Sequence, residues 1–306
     1  MLALVAAPEK EEKVELREVP DPQPLPHEAL IAVRAISLNR GEVNRLATAV
    51  DGWRAGWDVA GEILQAAADG SGPARGQRVV GLSNFAGWSE RLAIPTTSLA
   101  VVPDGISLAL AATLPVAGVT ALRLLRRGGL LIQRRVLITG ASGGVGRIAV
   151  QLAHQAGALV TAIVGTAERG KGLNALGADE VVVGFENSGG EFDLVLESAG
   201  GASLAHSLKV VGPHGVVVAY GNSAREPTTH LINDFYMKGA SLVGFFLLGD
   251  ALDHPVGADL ATLLGLVAAG RLDPQLALEA SWREAASALR ALRERKVAGK
   301  AVLHLD

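Results

Sequence analysis

The residues from Gly140 to Gly146 carry the chemistry most readily read from this chain: four glycines fall within seven positions, with Ala141 and Ser142 between the first two. An apolar run, Val136-Leu137-Ile138-Thr139, precedes them and suits a buried parallel strand. After them Ile148, Leu152 and Ala156 recur at intervals of four, which predicts a helix over 147–156. Gly157 ends it, and 159–164 reads as the next strand. The free N–H groups at the start of such a helix point outward, and the helix dipole favours an anion there. Glycine lets the chain turn tightly and lets a phosphate approach the backbone. Ala141-Ser142-Gly143-Gly144-Val145-Gly146 matches the fingerprint GxGxxG with alanine in the first place. The strand before it and the helix after it are the context that makes such a match meaningful. The expected ligand is the pyrophosphate of a dinucleotide.

The end of the next strand selects between dinucleotides. A site for NAD usually places an acid there, about 20 residues on, to hold the ribose 2′-hydroxyl. Here the chain reads Val164-Gly165-Thr166, with no acid before Glu168, and Arg169 and Lys171 follow. Without an acid to repel it, a 2′-phosphate can be bound by a guanidinium in a two-pronged way and by the Thr166 hydroxyl. The expected cofactor is NADPH.

Other reactive side chains are sparse. There is no cysteine, so disulfides, thiolate zinc sites and cysteine nucleophiles are excluded. The seven histidines are scattered, none at metal-ligand spacing, and no metal is expected. Of two tyrosines, Tyr220 ends a strand and reads as a wall residue rather than an acid, and Tyr236 reads as packing or interface. Trp57 and Trp88 suit either stacking on a flat substrate or a barrel core. Glu42 is read chiefly as facing solvent, with activation of a water as its other role. A net charge of −3 over 306 residues and no clustered basic stripe argue against nucleic acid. No apolar run reaches the roughly 20 residues of a membrane span. The opening Met-Leu-Ala-Leu-Val-Ala-Ala reads as a strand rather than a signal peptide, and a cytoplasmic location is expected.

These residues need elements to position them. The first hundred residues show many short strands with turn signals, which predicts a small β-barrel-like domain. Helices are predicted over 108–114 and 119–125, with Pro115 as punctuation between them. Strands over 136–139, 159–164, 180–183, 194–197, 216–220 and 241–246 alternate with helical patterns, the sign of βαβ units in a parallel sheet. Helices follow over 259–269 and 282–295, and a last strand over 300–305 is expected to rejoin the first domain.

Taken together, the sequence resembles the medium-chain dehydrogenase/reductase superfamily, and within it the zinc-free quinone oxidoreductase (zeta-crystallin-like) branch. The resemblance rests on Ser37-Leu38-Asn39, Gly56-Trp57-Asp58-Val59-Ala60-Gly61, Gly76 to Gly81, Leu114 to Ala121, the glycine-rich turn, Gly177-Ala178-Asp179, Gly244-Phe245-Phe246-Leu247 and Gly299-Lys300-Ala301-Val302, in that order and spacing. It implies an α/β fold: a Rossmann doubly wound parallel sheet over 111–249, plus a GroES-like β-barrel catalytic domain over 1–110 rejoined by 250–306, with a cleft between them. It implies that Thr166 and Arg169 hold the 2′-phosphate. It also implies that Thr120, Ser198, Tyr220 and the backbone of Phe245, Phe246 and Leu247 line the nicotinamide. Asn39 matches an asparagine near nicotinamide and substrate, and Glu42, Trp57 and Trp88 are candidates for the substrate side.

Zinc alcohol dehydrogenases of this superfamily carry a histidine where Trp57 stands, and cysteine ligands elsewhere, so a zinc-independent enzyme is implied. Glu42 and Asn44 stand where many relatives have aspartate and tyrosine, and the segment between Asn44 and Asp58 is short. The expected reaction is hydride transfer from NADPH to a quinone or an α,β-unsaturated carbonyl compound, with Asn39 and backbone N–H groups steadying the oxyanion. The alternatives are an NADPH-binding or sensing protein without turnover, and a reductase of carrier-bound enoyl thioesters. A homodimer joined through an apolar edge strand over 241–248 is expected.

Overall fold

The computed structural model describes residues 1–305. The chain divides into two units, one holding Met1 to Val119 and everything from Ala251 onward, the other Thr120 to Asp250. The first unit therefore runs past residue 110. Its strands and helices begin β1 (Leu2–Ala6), β2 (Val14–Glu18), β3 (Glu28–Leu38), α1 (Arg40–Leu46), β4 (Asp58–Gln65), β5 (Arg78–Leu82), β6 (Arg91–Pro95), β7 (Leu99–Val101), α2 (Leu108–Ala112) and α3 (Pro115–Arg126), the last running on into the second unit. Two helices are present as expected, but Pro115 is the first residue of the second, α3, and not a break before a helix at 119. Proline suits that position, since its fixed φ is already helical and no N–H is missed there.

The second unit contains β8 (Arg135–Ile138), α4 (Gly144–Gln155), β9 (Leu159–Val164), α5 (Ala167–Gly170), β10 (Glu180–Val183), β11 (Phe192–Glu197), α6 (Gly201–Val210), β12 (Val211–Ala219), α7 (Asn233–Tyr236), β13 (Ser241–Gly244) and the start of α8 (Leu247–Asp253). The chain then returns to the first unit through α9 (Gly257–Ala268), β14 (Leu276–Ser281), α10 (Ala285–Arg293) and β15 (Lys300–His304).

In the first unit a seven-stranded sheet has the order β14-β15-β3-β4-β5-β7, with β6 also paired to β3. The last strand lies antiparallel to β3, Ala301 opposite Leu38, so the C-terminal segment closes the barrel around Ile31, Ile36, Ile63, Trp88 and Trp282. In the second unit six strands run in the order β10-β9-β8-β11-β12-β13. Every neighbouring pair is parallel. That is the doubly wound order of a Rossmann sheet, reversing between β8 and β11.

One expected strand is shorter than its sequence suggests. The apolar run from Ser241 to Leu248 does not continue as a strand past Gly244; from Leu247 it is helix. Leu247 and Leu248 are buried, and Asp250 is held by Arg123 at 2.6 Å and Arg127 at 3.7 Å. Burial and these ion pairs outweigh the β propensity of the run. Among the described residues no helix is long and apolar enough to cross a membrane.

Candidate functional site

Two polar clusters stand out, one in each unit. In the second unit the loops after β8 and β11 meet where the strand order reverses, the usual place for a ligand in such a sheet. The Ser198 N–H donates to Thr139 Oγ1 at 2.8 Å, and the Ser198 hydroxyl donates to the Thr139 carbonyl at 3.2 Å. A Cβ on Gly140 would stand 2.5 Å from Ser198 Oγ, and one on Gly146 would stand 2.5 Å from Ala141 Cα. Only glycine lets these segments approach so closely. Helix α4 starts at Gly144, so the turn from Ala141 to Gly146 leads directly into its N-terminus.

Two arginines converge on Ser142. Arg169 Nε donates to its hydroxyl at 3.1 Å, and Arg147 Nε to its carbonyl at 3.3 Å. Arg147 is buried and also reaches the Lys171 carbonyl at 3.2 Å. Thr166 is exposed at the N-cap of α5, while Lys171 is exposed and pairs with Glu168. The turn can therefore offer backbone donors to a pyrophosphate, with positive charge beside it for a further phosphate. Arg147 was missed in the sequence because a cation inside a helical repeat reads as a solvated face.

Tyr220 contacts Ser198, and burial of the phenol, aided by the Glu197 charge, pushes its pKa further above the usual value. The phenol therefore keeps its proton at neutral pH and is a weaker acid than a free tyrosine. Glu197 itself is buried and fully engaged, accepting from the Gly200 N–H at 2.9 Å and from Ser203 and Ser207, each at 2.9 Å. Thr120 is buried. Of the segment expected to line a nicotinamide, Phe245 and Leu247 are buried, whereas Phe246 is 67% exposed.

The first unit holds a buried cluster that the sequence scatters widely: Asn39, Glu42, Asp58 and Lys300, none more than 8% exposed. Asn39 and Glu42 come from the start of α1, Asp58 from β4 and Lys300 from β15. Lys300 Nζ donates to Asn39 Oδ1 at 2.7 Å, to Asp58 Oδ2 at 3.0 Å and to the Leu38 carbonyl at 3.4 Å. Asn39 Nδ2 donates to Asp58 Oδ2 at 2.9 Å and to Glu42 Oε2 at 3.3 Å. Asp58 Oδ1 accepts the Val116 N–H at 2.8 Å, in the first turn of α3. Glu42 accepts the N–H groups of Asn39 and Trp57, each at 2.8 Å.

Two carboxylates face one ammonium here, so one negative charge lacks a partner. Burial first, and then the Asp58 charge, push the Glu42 carboxyl up to about 8, against the opposing pull of the two backbone N–H groups and Lys300.

This arrangement corrects one expectation and chooses between the two readings left open for Trp57 and Trp88. Glu42 does not face solvent; it is wholly buried because it closes the N-terminus of α1. Trp88 is 1% exposed, a barrel-core residue with no ring face for a substrate. Trp57 is buried as well, its ring against Gly41, where a Cβ would come within 2.5 Å. The sequence did hold a signal for Glu42: Asn followed three residues later by Glu is the capping-box pattern. Lys300 stands in one of the stretches that carry the resemblance, but no local pattern marks it as a site residue. Among the described residues no group of three or more His, Cys, Asp or Glu is placed to hold a metal.

Known proteins resemble this chain along most of its length. A family model described as a zinc-binding dehydrogenase matches residues 176–303. The spectinabilin polyketide synthase system protein NorB of Streptomyces orinoci is 33% identical over 290 residues, a span of 91% of this chain but 13% of that much longer protein. A chloroplast envelope quinone oxidoreductase homolog of Arabidopsis thaliana is 29% identical, with 83% of each chain covered. An acryloyl-coenzyme A reductase of Metallosphaera sedula is 28% identical, with 94% of this chain and 96% of that protein covered. The Escherichia coli quinone oxidoreductase complexed with NADPH shares the fold, with a TM-score of 0.87 at 22% identity over 99% of this chain and 100% of the other. The fold, the glycine-rich turn and these relatives together support the medium-chain dehydrogenase/reductase superfamily and, within it, the quinone oxidoreductase branch.

Proposed function

We propose that the chain binds NADPH and catalyses hydride transfer to a small electron-poor acceptor, a quinone or an α,β-unsaturated carbonyl compound, without zinc. The observation that carries this is the tight turn from Ala141 to Gly146 at the reversal of strand order, with the Arg169 guanidinium on Ser142. The cradle fits a dinucleotide because side chains are absent where phosphates would lie. When bound, NADPH supplies the hydride. The N–H groups of Gly143 to Gly146 would hold the pyrophosphate, and Thr166 and Arg169 the 2′-phosphate. Thr120, Ser198, Tyr220 and the segment from Phe245 to Leu247 would wall the nicotinamide. Asn39 would orient the acceptor carbonyl through its amide N–H, and the final proton would come from water, since the Tyr220 phenol holds its own. Zinc independence rests on the absence of cysteine and on Trp57 at the histidine position of the zinc enzymes.

The proposed location is the cytoplasm, and the proposed assembly is a homodimer through the edge strand β13. Among the described residues that strand pairs only with β12, and Leu242 is 47% exposed.

A second reading, reduction of an enoyl thioester, draws support from the likeness to the acryloyl-coenzyme A reductase across nearly all of both chains. Titration with NADPH and NADH, followed by NADPH oxidation with 1,4-benzoquinone, a simple enone and an enoyl thioester, tests both. NADPH binding with quinone or enone turnover is the expected result. Turnover of the thioester alone would move the assignment to the second reading. Tight binding without any turnover would make the chain an NADPH sensor.

A further inference from the structure

Within that reading, we infer that Lys300 is a positioning residue for Asn39, the fixed cation that sets the direction and strength of the amide N–H offered to the acceptor. The inference rests on the proposed role of Asn39 and adds a residue from the far end of the chain.

The hydrogen-bond inventory leaves little freedom. An ammonium has three donors and no acceptor. Lys300 spends them on Asn39 Oδ1, Asp58 Oδ2 and the Leu38 carbonyl. The Asn39 atom facing it must therefore be oxygen. Asp58 Oδ2 then receives one amide hydrogen at 2.9 Å. With both ends pinned, the amide cannot flip, and its second hydrogen has one direction. That hydrogen lies on Glu42 Oε2 at 3.3 Å, the longest bond the side chain makes and the one an acceptor oxygen could replace.

A cation on the amide oxygen also draws electron density from the nitrogen and strengthens the remaining N–H as a donor. Lys300 is 3% exposed, so solvent does not dilute this effect. The cluster resembles a cation site filled by the protein's own ammonium. A vacancy at position 300 would leave the Asp58 carboxylate without its counter-charge, but with room for a small cation.

Lys300→Ala should lower kcat on the order of 10²-fold, the scale of a misplaced catalytic donor, with the NADPH dissociation constant unchanged. Methylammonium should restore part of kcat in this variant, and methanol, similar in size but neutral, should not. In a cycle with Asn39→Ala, the double variant should be no slower than Asn39→Ala alone. Should Lys300→Ala not fold, Lys300→Met keeps the side-chain bulk, leaves Asp58 free to take up a proton, and should show the same kcat loss. In the unliganded protein, the Asn39 side-chain amide protons, assigned by their loss in Asn39→Ala, should exchange slowly in the native chain and quickly without Lys300.

Wild-type kcat in the Lys300 variants, additive effects in the cycle, or unchanged amide exchange would overturn the inference. A native protein that turns over nothing would overturn the reductase reading instead, and amide exchange would still decide whether Lys300 fixes Asn39.

Discussion

The glycine-rich turn of the second unit and the buried quartet of the first solve the same problem, holding polar groups in fixed directions, by opposite means. The turn uses contiguous residues with almost no side chains, so the backbone itself is the surface it presents. The quartet uses four side chains from positions 39, 42, 58 and 300, three of them ionisable, all removed from water. A backbone site tolerates nothing added. A charged buried site tolerates nothing removed, because each deletion strands a partner.

That contrast can be broken at either end. The largest effect is expected at Asp58. Asp58→Leu leaves Lys300 buried without its carboxylate and the Val116 N–H without its acceptor, and should cost roughly 3–5 kcal/mol in urea unfolding. A loss under about 1 kcal/mol, the level of an exposed pair, would show that the quartet is not dry.

The pH dependence of stability follows from Glu42. Its folded pKa, about 8, lies above the 4.5 of the free side chain. The stability it confers is therefore complete below about 4.5 and is lost as pH rises through about 8. Thermal midpoints should fall between pH 5 and pH 8.5 in the native chain and stay level in Glu42→Gln. An equal slope in both would assign the titration to another group.

At the turn, Gly146→Ala adds the one atom for which there is no space. Overpacking of roughly 1–3 kcal/mol should weaken NADPH and NADH alike by about 10- to 100-fold in direct titration. The smallest and most selective effect is expected at Arg169. Its removal by Arg169→Ala should weaken NADPH about tenfold, one charge-assisted hydrogen bond, and leave NADH nearly unchanged. Equal losses for both would mean that Arg169 only supports Ser142.

The second unit was legible because its information is local. A strand, a glycine turn and a helix follow one another within twenty-odd residues, and hydrophobic periodicity marks each. Strand β9 lies where the pattern put it, at Leu159–Val164. Where the pattern erred, tertiary contacts decided. The run after Gly244 became helix because Leu247 and Leu248 found a core and Asp250 found two arginines. Strand β14 has no strong alternation and exists because β15 lies parallel beside it.

Sequence alone thus determined the parallel sheet, the glycine-rich turn between strand and helix, the return of the last strand to the first unit and the lack of any thiol ligand. Each depends on residue type and short spacing. Only the tertiary structure decided that Glu42 is buried, that Trp57 and Trp88 are core residues, and that Lys300 meets Asn39 across 261 positions of chain. Burial and pairing of a charge depend on what the fold brings alongside it, and a carboxylate in water and one in a buried cluster are written with the same letter.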